Sequence, residues 1–148
     1  MNEAHVHLLL NHFPIIGTLF GVLFLAYGLL LKNKSILHAG LLTLFLMALI
    51  AIPTQLTGEG AEEIVEEVGV DHEVIHQHEE AAELAIWFMV GLGLLALATL
   101  LISRRTSGRD TVLKGLYIAT LVLSVVVFVM MARVGSLGGE IRHTEVRE

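Results

Sequence analysis

Four apolar runs divide this chain: Phe13–Leu31, Ile36–Ile52, Leu84–Ile102 and Gly115–Ala132, each 17 to 19 residues long and free of formal charge. A helix rises ~1.5 Å per residue, so about 20 such residues cross a ~30 Å hydrocarbon core. Buried helices of a water-soluble bundle would each keep a polar face, and none of these runs has one. Hydrophobic residues make up 55% of the sequence and the mean hydropathy is +0.75, well above soluble chains. The fold expected is all-α: an integral membrane four-helix bundle within residues 1–134, with spans at about 8–32, 36–53, 80–103 and 112–133. The first run lacks a basic n-region and a small-residue cleavage site, which identifies it as a span rather than a cleaved signal. Without cysteine the chain offers no disulfide, thiolate metal site, iron–sulfur cluster or thioether-linked haem.

Charge orients the spans. Lys32 and Lys34 lie in the first connection, Arg104, Arg105, Arg109 and Lys114 around the third, whereas the second carries acids only. The positive-inside rule then puts the basic connections in the cytoplasm and both termini outside. The location expected is the inner (cytoplasmic) membrane of a bacterium, with the acidic connection on the periplasmic side. Arg133, Arg142 and Arg147 in the tail run against this pattern, balanced by Glu140, Glu145 and Glu148. Charge and topology exclude nucleic acid as a partner, and the bilayer is the partner they require.

Small residues predict how the spans meet. Gly17-Thr-Leu-Phe-Gly21 is a GxxxG and Gly115-Leu-Tyr-Ile-Ala119 its small-xxx-small relative, spacings that let backbones approach closely in lipid. They also offer a face for homo- or hetero-oligomers. Ala82, Ala85, Met89, Gly93 and Ala96 form one stripe of the third span; Asn11, Pro14, Thr18, Gly21 and Gly28 form one of the first. Pro14 is a tolerated helix start, and Pro53 is expected to close the second span. Between spans two and three, Ala61, Ile64, Val65 and Val68 recur at helical spacing opposite Glu62, Glu63, Glu66 and Glu67. This predicts a short amphipathic helix over the outer mouth of the bundle, ended by Gly69, with Asp71 capping the helix that follows. Residues 135–148, with Gly135, Gly138 and Gly139, read as a flexible polar tail.

The run from Thr57 to Glu83 holds ten of the fifteen acidic residues, three histidines, and no Lys or Arg. Seven of eight histidines map to the outer side: His5, His7 and His12 on the first helix, His72, His76 and His78 before the third, and His143 in the tail. His38 alone lies inside, where a headgroup-level position explains it. Neutral imidazole ligates haem iron and divalent metals. His72 and His76 are spaced i, i+4, and Glu73-Val-Ile-His76 is a Glu-x-x-His, both metal-binding patterns on one helix. His7 and His12 are i, i+5, roughly 140° apart at ~100° per residue, and cannot readily grip one ion. His78 continues the small-residue stripe of the third span and His7 that of the first. Two inward histidines at equal depth on facing helices suit a bis-histidine b-type haem, with His12 on the flank of the stripe as the next candidate.

His7-Leu-Leu-Leu-Asn-His12-Phe-Pro-Ile resembles the H-x4-H-F-P-I opening of a large family of uncharacterised bacterial four-helix membrane proteins, a domain of unknown function. Thr57-Gly58-Glu59 and His78-Glu79 resemble the same family, and the likeness extends to about residue 103. Relatives fused to Rieske-type or cytochrome c-type modules imply a redox setting, and the resemblance carries over His7, His12 and His78 as cofactor ligands. The chain departs in having Val6-His7-Leu8 where many relatives have His-Pro, and in its extra His5, His72 and His76.

Three readings follow. The first is a b-type haem protein that transfers electrons near the outer face to redox protein partners, on His7, His12 and His78. The second is a non-haem site for a transition metal such as iron, zinc or copper, built from His7, His12, His76, His78, Glu59, Glu63, Glu79 and Glu83. Glu83 belongs there because an ionised carboxylate beside an apolar run needs a partner. The third is a cofactor-free accessory subunit of a larger membrane complex. No nucleophile–base pair, phosphate loop or nucleotide motif indicates a catalytic residue.

Overall fold

The computed structural model describes residues 3–67, 69–105 and 111–142; for Glu3, Glu59, residues 62–67 and Arg142 it describes the backbone alone. All described secondary structure is helical: α1 (Glu3–Leu10), α2 (His12–Leu31), α3 (Lys34–Glu67), α4 (His72–Arg105) and α5 (Thr111–Arg142). Four candidate spans result, because α1 and α2 act as one rod over Ala4–Leu31, with α3, α4 and α5 supplying the others. The Asn11 N–H still bonds His7 O at 2.9 Å across the junction. The discontinuity there follows from Pro14, which has no N–H for the Leu10 carbonyl.

Neighbours close a ring in which α2 packs on α3, α3 on α4, α4 on α5 and α5 back on α2, with α1 against α3. Leu25, Leu41, Leu44, Met89, Leu92, Ala96 and Val127 fill the centre with no exposed surface. Several buried hydroxyls are satisfied within their own helices, as a bilayer demands: Thr18 donates to Pro14 O at 2.6 Å, and Thr99 and Thr120 to Leu95 O and Leu116 O at 2.8 Å. The stripes foreseen for the first and third spans do face inward, since Pro14, Thr18, Gly21 and Gly28 are buried, as are Ala85, Met89, Gly93 and Ala96. Lys32 ends α2 in the left-handed region at φ 53°, and the Asn33 side chain caps α3 by accepting from the Ser35 and Ile36 amides at 3.0 and 3.2 Å. Asp71 caps α4, accepting from the Glu73 amide at 3.1 Å.

Two expectations are corrected. Pro53 does not close the second span: α3 runs through it for 34 residues, so Ala61 and its neighbours prolong α3 rather than forming a separate helix over the mouth. Proline interrupts a helix by depriving the carbonyl four residues back and by its ring. Here the ring is exposed, and hydroxyls add bonds around the break, Thr54 to Ile50 O and Thr57 to Pro53 O, both at 2.9 Å. Secondly, the boundary at 134 falls inside α5, which continues to Arg142 and makes Gly135, Gly138 and Gly139 helical; His143 and the rest of the expected tail lie outside the described residues. As the GxxxG spacing predicted, α2 approaches α3 closely, because a Cβ on Gly17 would strike Met47, and one on Gly21 would strike Leu44.

The two halves repeat one pattern. Pro14, Thr18, Gly21, Leu25 and Gly28 of α2 are buried at the same successive spacings as Ala85, Met89, Leu92, Ala96 and Thr99 of α4. Leu37, Gly40, Leu44 and Ala51 of α3 match Tyr117, Thr120, Ser124 and Met131 of α5 in the same way. The bundle is thus a pair of similar helical hairpins, and the register that relates them lays His7 on His78.

Candidate functional site

His7 and His78 are both half-buried near the end of the bundle remote from Lys32 and Arg104. His7 Nδ1–H donates to the backbone carbonyl of Thr54 on α3 at 3.0 Å. His78 Nδ1–H donates to the carbonyl of Val134 on α5 at 3.1 Å. A carbonyl only accepts, so the proton sits on Nδ1 in each ring, and in the neutral imidazole Nε2 keeps its lone pair. A glycine stands four residues beyond each accepting carbonyl. A Cβ on Gly58 would come 3.4 Å from His7 Cε1, and one on Gly138 would come 3.2 Å from His78 Cε1. Those glycines leave room beside the helix for an imidazole that reaches the carbonyl one turn back.

The other expected ligands do not join this pair. His12 is exposed, with its Nδ1 bonded to the Asn11 side chain, and it lies along the outer groove with Phe13 and Ile16. His76 faces out and meets Glu80 at 3.4 Å, both more than half exposed. Glu83 is also exposed, beside Leu84 and Trp87, so its charge is met by surroundings outside the bundle rather than by a buried partner. Glu79 is half-buried, and the side chains of Glu59 and Glu63 lie outside the described residues. Among the described residues, no three His, Cys, Asp or Glu side chains converge as a metal site would require. His38 is bonded: its Nε2 pairs with Ser103 Oγ at 2.7 Å, and Ser103 in turn pairs with Tyr117 Oη, a buried polar chain across α3, α4 and α5 at the basic end.

Thr54, Val134 and Gly138 are the members of the site that sequence reasoning missed. Their signal was the shared spacing of Thr54 to Gly58 and Val134 to Gly138, which becomes visible only once the two hairpins are aligned by burial.

Residues 4–145 match a family model described as "Predicted membrane protein (DUF2231)", so the chain belongs to that family, in agreement with the resemblance carried by His7-x4-His12-Phe-Pro-Ile. No curated protein and no solved structure matches it.

Proposed function

We propose that this DUF2231 protein is a b-type haem protein that transfers electrons near the outer face of a bacterial inner membrane, in which His7 and His78 would hold the haem iron. One observation carries the reading: the two imidazoles hold the same tautomer, each tied through Nδ1–H to a backbone carbonyl of the neighbouring helix. That arrangement orients a ligating histidine, raises its basicity and presents Nε2. Among the described residues no third ligand converges on these two nitrogens, which suits an iron held in a macrocycle better than a metal that needs three or four side chains. His12, exposed and turned to the groove, would not join His7 and His78 in holding the iron.

When bound, haem supplies the one-electron chemistry. The chain supplies the rest: α3 and α5 fix the ring orientations, and Pro14 and Ala85 exclude water beneath the pair. Lys32, Lys34, Arg104 and Lys114 at the opposite end support a cytoplasmic position for that end, which leaves the histidines outside, within reach of a periplasmic redox partner. Protein produced with ample haem and purified in detergent should show a Soret band and a reduced-minus-oxidised b-type α-band. Both should vanish in His7→Phe and in His78→Phe and persist in His76→Phe. Wild-type protein lacking a Soret band under those conditions would sink the reading.

A further inference from the structure

The outer surface of α2 carries a groove of about 330 Å³ lined by His12, Phe13, Ile16, Gly17, Phe20 and Met47. Met47 of α3 fills the space over Gly17, and the groove lies along this contact between α2 and α3. Phe13, Ile16 and Phe20 are each at least half exposed and lie along one helical stripe, which gives the groove an apolar floor running from the headgroup level into the hydrocarbon. Its volume falls in the range of small-molecule sites. His12 is the single titratable group among the lining residues.

We infer that this groove binds the head and first isoprene units of a membrane quinol, with His12 Nε2 accepting a hydrogen bond from a quinol hydroxyl. The choice of occupant follows from hydrogen-bond polarity. His12 Nδ1–H is engaged by Asn11 Oδ1, so Nε2 of the neutral ring is an acceptor and calls for a ligand that donates. A phosphodiester headgroup offers acceptors and a negative charge, and the lining has no Lys or Arg to meet them. The selection of a quinol among hydroxyl-bearing lipids rests on reading His7 and His78 as a haem site. His12 is five residues along the same rod from His7, or roughly 7.5 Å of rise, so a bound quinol lies beside the proposed electron acceptor.

The hairpin repeat provides an internal comparison. The register that lays His7 on His78 lays His12, Phe13 and Ile16 on Glu83, Leu84 and Trp87. These, with Glu80, line a second hollow of about 270 Å³. There two glutamate side chains stand in place of the single imidazole.

Native mass spectrometry of the purified protein under anaerobic conditions tests the assignment, with decyl-ubiquinol as probe and phosphatidylglycerol as competitor. One quinol should bind per chain. Occupancy should fall at least fivefold in His12→Phe and in Ile16→Trp, a lipid-facing change that fills the groove without touching the core. It should stay within twofold in Trp87→Leu. Equal loss in the His12 and Trp87 variants, no loss in either groove, or displacement by equimolar phosphatidylglycerol would overturn the inference. Quinol binding by protein without a Soret band removes the haem reading and leaves the groove. Haem-loaded protein that binds no quinol removes the groove and leaves the haem.

Discussion

His7 and His78 occupy equivalent positions in two similar hairpins: each gives its Nδ1 proton to a carbonyl of the next helix, 3.0 Å to Thr54 and 3.1 Å to Val134, with a glycine one turn further on. The equivalence is unequal in one respect. The approach to Gly138 is tighter than the approach to Gly58, at 3.2 against 3.4 Å.

That difference predicts an order of effects. A methyl on Gly58 makes ordinary contact with the His7 ring, whereas one on Gly138 requires the His78 ring to give by a few tenths of an ångström. Rotating a side chain ~30° from its rotamer costs about 0.5–1.5 kcal/mol, or roughly two- to tenfold in binding. Haem titration of apo-protein should therefore find Gly138→Ala weakened by that factor and Gly58→Ala nearly unchanged. The reverse order would refute the assigned geometry.

Glycines inside and outside the bundle should separate cleanly. Gly21→Val drives a side chain into Leu44 and the Gly40 backbone, whereas Gly91 and Gly115 have nothing within 4 Å of a built Cβ. Overpacking of this kind destabilises by about 1–3 kcal/mol. Thermal unfolding in detergent should show a marked loss for Gly21→Val and none of that size for Gly91→Val or Gly115→Val.

Ser103 holds the middle of the chain His38–Ser103–Tyr117 and is fully buried. Tyr117→Phe removes one hydrogen bond, worth about 0.5–1.5 kcal/mol, and leaves Ser103 paired with His38. Ser103→Ala strips a partner from both ends, with an expected loss of about 1–3 kcal/mol. Equilibrium unfolding in mixed micelles should rank Ser103→Ala as the more damaging of the two.

The proposed orientation is open to a direct test because the sequence contains no cysteine. Gln77→Cys, near the histidine end, should react with a membrane-impermeant maleimide in cells whose outer membrane alone is permeabilised. Lys114→Cys should react only after the inner membrane is opened. The opposite pattern would reverse the topology and put the His7–His78 pair on the cytoplasmic side.

What the amino-acid order settled alone is whatever a single helix needs to know about itself. Four uncharged runs set the number of spans; the stripe through Ala85, Met89 and Ala96 told which face of α4 turns inward; Asp71 marked where that helix begins. Those are local matters of length, period and capping. Tertiary structure decided what each inward face meets. Nothing local says that His7 reaches a carbonyl 47 residues away and His78 one 56 residues away. Nor does any local rule carry α3 through Pro53, since proline's penalty is written in the sequence while the packing and hydroxyl bonds that offset it are not. The two small-residue stripes already paired His7 with His78 and left His12 as the next candidate. Packing turned His12 to the outer groove and supplied the carbonyls of Thr54 and Val134 that hold the paired rings.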